Sequence, residues 1–158
     1  MTRRYASGTT VPVERSRAEL ERLLRRAGAT AFASAWDEES GVARFIFRLG
    51  GRMVRLEVYQ PSWDEFVESG AGRKRKRPDA EAAAEKEYMR RWRAQVLHVK
   101  AKLEMIADGM SSVEREFLAD MLLPNGSTFA EEMLPRLAEA YETGDMDTSL
   151  PMLGPGKG

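Results

Sequence analysis

The sequence predicts an α+β fold: an N-terminal helix packed on a small antiparallel sheet, then a long helix and a helical C-terminal section. Three observations carry this. The alternating runs Ala43-Arg44-Phe45-Ile46-Phe47-Arg48-Leu49 and Arg52-Met53-Val54-Arg55-Leu56-Glu57-Val58-Tyr59 are separated by Gly50-Gly51, and two glycines between period-2 runs read as a hairpin because primed turns need positive φ. Upstream, Leu20, Leu23, Leu24 and Ala27 recur at helical spacing. Downstream, Met89, Trp92, Val96, Val99, Leu103 and Ile106 do the same over a longer stretch.

Pairing Leu49 with Arg52 sets the hairpin register. Phe47 then faces Val54, Phe45 faces Leu56 and Ala43 faces Val58, an apolar face for the first helix to cover. The other face collects Arg44, Ile46, Arg48, Met53, Arg55 and Glu57. An earlier strand, 30–36, joins through Asp37-Glu38-Glu39-Ser40-Gly41. With a five-residue loop, Ala31, Ala33 and Ala35 lie under the helix, and Phe32 and Trp36 join the arginine face. A loop of four inverts every assignment, because a one-residue slip swaps faces. The five-residue version is preferred, since small alanines let a helix approach closely.

Flanking elements follow from punctuation. Residues 9–13 read as a short extended segment, with Pro12 confined to a sheet edge. Ser16-Arg17-Ala18-Glu19 reads as a capping box, and Gly28 as the helix stop. Residues 61–78 form a basic linker holding the run Arg73-Lys74-Arg75-Lys76-Arg77, which should be solvated because like charges repel. Asp79 is the expected cap of a helix reaching Asp108; about 30 residues make roughly 45 Å, long enough to suggest a homo-oligomer through that helix. Further boxes appear at Ser111-Ser112-Val113-Glu114 and Thr128-Phe129-Ala130-Glu131, and Pro135 is placed to kink or restart the last helix. The organisation is thus a sheet unit at 9–60, the linker, a helical section at 79–143, and a patternless tail at 144–158 expected to be disordered.

Composition narrows function. The chain has 158 residues, 42% hydrophobic and 32% charged, enough for one core under a heavily charged surface. It contains no cysteine, which excludes disulfides, thiolate zinc sites and cysteine nucleophiles. No apolar run approaches the roughly 20 residues that span a bilayer. No signal peptide follows Met1-Thr2-Arg3-Arg4-Tyr5, so a cytoplasmic protein is expected. Charge is split: residues 1–102 hold 22 Lys and Arg against 14 Asp and Glu, whereas residues 103–158 hold 3 against 11. Either a polyanion-binding part adjoins an acidic part, or the two halves neutralise each other.

Catalytic signatures are absent. His98 is the single histidine, beside apolar residues mid-helix and without a Gly-x-Ser-x-Gly elbow. No phosphate-cradling glycine loop occurs. Tyr59 stands where a nuclease-type Glu-x-Lys element would need lysine, and Asp37, Glu38 and Glu39 suit a solubilising turn. No enzyme, cofactor or metal is therefore expected. Arginines can grip phosphates while aromatic rings stack bases. This makes Arg44, Arg48, Arg55, Phe32 and Trp36 candidate nucleic-acid contacts, joined by Arg73, Lys74, Arg75, Lys76 and Arg77 through counterion release. Arg90, Arg91 and Arg93 extend the basic character; Trp92 between them is in register with Met89 and Val96, as a core residue would be.

The stretch Arg91-Trp92-Arg93-Ala94-Gln95-Val96-Leu97-His98-Val99-Lys100-Ala101-Lys102-Leu103-Glu104 resembles a family of small tailed-phage and prophage proteins with no assigned activity. Glu116-Phe117-Leu118-Ala119, Leu123-Pro124-Asn125-Gly126 and Val11-Pro12-Val13-Glu14-Arg15-Ser16-Arg17-Ala18-Glu19-Leu20 extend the resemblance over residues 9–142. It implies a mobile-element protein of the bacterial cytoplasm that handles DNA or disables a host factor. The expected function is nucleic-acid binding, of single strands, in replication, recombination or annealing. The rival is a non-enzymatic inhibitor that binds a host defence or regulatory protein.

Overall fold

The computed structural model describes residues 9–144. In chain order it runs α1 (Val13–Arg26), β1 (Ala31–Asp37), β2 (Val42–Leu49), β3 (Arg52–Tyr59), a 3-10 turn at Trp63–Phe66, α2 (Arg77–Ala107), α3 (Val113–Phe117), a 3-10 turn at Leu118–Asp120, and α4 (Phe129–Thr143). The three strands form one antiparallel sheet in the order β1-β2-β3. The fold is α+β, as the sequence predicts.

The hairpin takes the predicted register. Gly50 and Gly51 have φ of 56° and 76°, the left-handed values a primed turn demands. Leu49 faces Arg52, Phe47 faces Val54, Phe45 faces Leu56 and Ala43 faces Val58. All except Arg52 are buried. Leu20 and Leu24 of α1, Trp92, Val96 and Val99 of α2, and Phe117 of α3 complete that core. Phe117 meets Phe47 edge-on, with ring centroids 5.7 Å apart. Three helices, rather than α1 alone, thus cover the sheet, and each buried large side chain contributes about 1.5–3 kcal/mol.

β1 takes the other register. Asp37 pairs with Val42, leaving a four-residue loop, so Phe32 pairs with Phe47 and Trp36 with Ala43. Phe32 and Trp36 therefore belong to the core side, and Ala31, Ala33 and Ala35 to the arginine side, correcting the five-residue loop. The Asp37 carboxylate is the reason. Its Oδ1 accepts from the Glu39 and Ser40 amides at 3.1 and 3.3 Å, closing a tight turn directly after a residue that stays in the strand. Phe32 then packs against Phe45 at 6.2 Å, under the Arg25 guanidinium.

The helix ends show which signals were misread. α1 begins at Val13, so residues 9–12 do not form a strand. Pro12 (φ −58°, ψ 151°) is its N-cap. Ser16 lies one turn inside: its N–H donates to Pro12 O at 3.2 Å, while its hydroxyl is buried without a partner among the described residues. Glu19, the expected reciprocal member of that box, pairs with Arg93 of α2 instead. α2 begins at Arg77, two residues before Asp79, because Pro78 suits a first turn whose amides have no acceptor. Ser112 caps α3 by accepting from Arg115 N at 3.3 Å, one residue later than expected. The Thr128–Glu131 box forms as read, and α4 runs through Pro135 unbroken. Segment 61–78 carries local structure: its 3-10 turn packs on α2, Glu68 and Lys74 form a bridge, and Arg75 N donates to Val67 O at 2.7 Å. The tail beyond Gly144 lies outside the described residues.

Ser16 separates the two readings of α1. As a cap, its loss would cost about 0.5–2 kcal/mol. As a buried hydroxyl without a partner, its removal should stabilise the fold by about 1 kcal/mol, with added help from the helix propensity of alanine. Ser16→Ala should therefore raise the urea midpoint with an unchanged m-value.

Candidate functional site

The open face of the sheet presents Ala31, Ala33, Ala35 and Asp37 from β1, Val42, Arg44, Ile46 and Arg48 from β2, and Met53, Arg55, Glu57 and Tyr59 from β3. The three arginines do converge, but acids converge with them. Arg44 Nε donates to Glu57 Oε1 at 3.0 Å, and its Nη1 lies 3.7 Å from Asp37 Oδ2. Arg55 pairs with Glu57 at 3.2 Å and with Glu131 at the start of α4, and its Nη1 donates to Gly126 O at 3.2 Å. Its side chain is only 15% exposed. Tyr59 Oη donates to Glu57 Oε2 at 2.8 Å, and this bond, with some burial, holds the phenol above its ordinary pKa. Arg48 alone of the three is exposed, and among the described residues it forms no ion pair. Asp37, Glu57 and Glu131 thus neutralise Arg44 and Arg55 and leave Arg48 unmatched by them.

The remaining predicted contacts divide. Phe32 and Trp36 face the opposite side of the sheet, so neither stands beside the arginines as a stacking platform. In the run 73–77, Arg73, Lys74 and Lys76 have exposed side chains that form no ion pair among the described residues. Arg75 is turned inward, its Nη1 donating to Phe66 O at 3.1 Å. Arg77 stacks on Trp63 at 4.8 Å and pairs with Glu81 at 2.9 Å. On α2, Arg90 chelates Glu87 with two 2.8 Å bonds. Arg91 reaches Glu87 and donates to Tyr59 O at 2.9 Å, which ties β3 to the helix. Trp92 is buried in the core.

Ion pairs also cross the charge divide. Arg52 pairs with Glu114 at 3.4 Å, Arg55 with Glu131, and Lys102 with Asp120 at 3.8 Å. The acidic C-terminal part therefore neutralises some of the basic part by packing on it. A cleft of about 630 Å³ between β3 and α2 is lined by Glu57, Tyr59, Arg90, Arg91, Gln95 and His98. Loss of solvent around the imidazole, and then Lys102, hold His98 below its ordinary pKa. Among the described residues no group of three or more His, Asp or Glu is placed to hold a metal. None of their helices is long and apolar enough to cross a membrane.

A surface the sequence reading passed over lies on α4. The helix has no buried residue. Phe129, Ala130, Met133 and Ala140 are half-buried, while Leu134, Leu137 and Tyr141 are 60%, 45% and 84% exposed. With Ala138 they fall at i, i+3, i+4 and i+7, one stripe of a helix. Glu131, Glu142, Glu139 and Glu132 lie along one side of it, Glu131 bonded to Arg55 and Thr128 and Glu132 to Asn125, and Arg136 is the one cation of the helix. The spacing was legible in the sequence. That the stripe faces away from the core was not.

Several shifted groups bear on the acid response, among them Glu87 and His98. The carboxyls of Asp37, Glu114 and Glu131 are depressed as well, while burial raises that of Asp120. Glu87 is held below the ordinary glutamate pKa of 4.5, chiefly by its bond with Arg90. A depressed carboxylate contributes stability that is present above 4.5 and lost as pH falls through its lower folded value. His98, also depressed, disfavours the protonated form, so its contribution is present above 6.5 and fades below it. Thermal melts across pH should show Tm declining first below about 6.5 and further below about 4.5. His98→Gln should flatten the first decline, and Glu87→Gln should reduce the second without abolishing it, because Asp37, Glu114 and Glu131 contribute over the same range.

No family model, curated protein or solved structure matches this chain.

Proposed function

We propose that this protein is a non-enzymatic binding module that presents α4 to an apolar, basic-rimmed groove on a partner protein. The supporting observation is the exposed stripe of Leu134, Leu137 and Tyr141 within an acidic helix. Helix-in-groove recognition uses anchors at this spacing, and the flanking glutamates select a basic rim. The same glutamates would repel a second α4, which favours a different protein over self-association through this face. In the mobile-element setting that the resemblance implies, the partner is a host protein of the bacterial cytoplasm and the role is inhibition of a defence or regulatory complex. The expected test is co-purification from host lysate, identification of the partner, and reconstitution from purified components. Leu134→Asp with Tyr141→Asp should abolish the complex while costing the fold only about 1 kcal/mol, the sum expected of two exposed helical positions. An undiminished complex would exclude α4 as the recognition element.

A second reading, single-strand binding in replication, recombination or annealing, rests on the exposed side chains of Arg73, Lys74 and Lys76, which have no acidic partner among the described residues, together with Arg48. Three or four phosphate contacts on single strands give a salt slope of about −2 to −3 in log K against log salt. Fluorescence anisotropy with a labelled single strand should show that slope, reduced in the triple alanine variant of Arg73, Lys74 and Lys76. No binding at low salt removes this reading.

A further inference from the structure

The two edges of the sheet are treated differently. Along β3, Leu122 N donates to Met53 O at 2.8 Å and Met121 bridges to Val54, so a short extended piece closes that edge. Along β1, no described residue pairs with the outer edge. Ala33, Ser34, Ala35 and Trp36 are all exposed, with Trp36 at 49%. Monomeric proteins protect such an edge with lysine, proline, a bulge or a very short strand. β1 has seven residues, and its only charge is at the end, Asp37.

The side-chain pattern of this bare edge is palindromic: Phe32-Ala33-Ser34-Ala35-Trp36 reads aromatic, Ala, Ser, Ala, aromatic in either direction. An antiparallel pair of identical strands is related by a two-fold axis, so each surface must complement itself. We propose that β1 pairs with β1 of a second copy about an axis at Ser34, joining the two sheets into one of six strands. Ser34 then opposes Ser34, Ala33 opposes Ala35, and each Phe32 opposes the Trp36 of the second copy. Aromatic pairs directly across strands are among the favourable sheet contacts, and this one gives the exposed Trp36 a neighbour besides Tyr88, which lies 6.3 Å from it. Charge agrees with the register. The acidic turn Asp37-Glu38-Glu39 of one copy arrives at the start of β1 in the other, where α1 ends in the exposed Arg26 beside Arg25, which already pairs with Glu21. The symmetry makes that contact twice. This dimer does not use α4, so it stands or falls apart from the proposed function. Nor does it use α2, whose apolar residues Trp92, Val96 and Val99 are buried in the chain's own core.

Light scattering on the full chain should give twice the monomer mass at the higher concentrations of a dilution series. Ser34→Lys places two ammonium groups against each other at the axis and should yield a folded monomer, as should Ser34→Asp. Mixing the two variants should restore a heterodimer, because unlike charges then meet. The chain contains no cysteine, so Ser34→Cys under mild oxidation should form a single intermolecular disulfide, faster than Glu39→Cys. A wild-type chain monomeric at every concentration overturns the proposal. So does a Ser34→Lys variant that remains a dimer, or a Ser34→Cys variant that cross-links no faster than Glu39→Cys.

Discussion

The two-residue turn at Gly50-Gly51 is the constraint on which the rest of this structure depends. A primed turn of two positive-φ residues allows one pairing of its flanking strands, and that pairing puts Phe45, Phe47, Val54, Leu56 and Val58 on one face. That face is what α1, α2 and α3 collect against. A shift by one residue would send the phenylalanines to the side where α4 begins and the arginines into the helices. Burying unpaired guanidinium groups is costly enough that the hydrophobic pattern and the turn geometry select the same register.

Electrostatics then organise the second face. Glu57 of β3 lies between Arg44 across on β2 and Arg55 two residues back on its own strand, and the acidic start of α4 adds Glu131. Partly buried arginines need such partners, and the segment around Gly126 supplies a carbonyl as well. A split of charge between halves of a chain is thus compatible with mutual satisfaction, and here it is partly that: basic sheet positions meet acids from the last third of the sequence. Exposed cations include Arg73, Lys74 and Lys76 of segment 61–78 and Arg48 on the sheet, and also Arg15, Arg22 and Arg26 of α1 and Lys86 and Lys100 of α2.

Two surfaces remain without a counterpart among the described residues: the apolar stripe of α4 and the outer edge of β1. They differ in kind. The first offers side chains to a groove, and its surrounding charge favours a foreign partner. The second offers backbone hydrogen bonds, which any strand could satisfy, so specificity must come from side-chain register; the palindrome supplies that register for a second copy. A small protein holding both would be a two-fold assembly displaying two copies of α4, an arrangement in which avidity raises binding to a symmetric target.

The sequence by itself determined the α+β class, the hairpin and its register, the apolar stripe of α2 through Trp92, Val96 and Val99, and the cap at Thr128. These rest on local periodicity and turn chemistry, which act within a few residues. It did not determine the face of Phe32 and Trp36, because alternation survives a one-residue slip and only the Asp37 turn distinguishes loops of four and five. Ser16 and Glu19 match a capping pattern, yet the helix starts at Pro12 and Glu19 goes to Arg93, 74 residues away. Pairs such as Arg25–Glu21, Arg77–Glu81 and the cross-strand Arg44–Glu57 follow from helix spacing and hairpin register. Tertiary structure alone decided that Arg55 meets Glu131, 76 residues away along the chain. Pairing over such distances is set by how whole elements pack, and no local pattern encodes it.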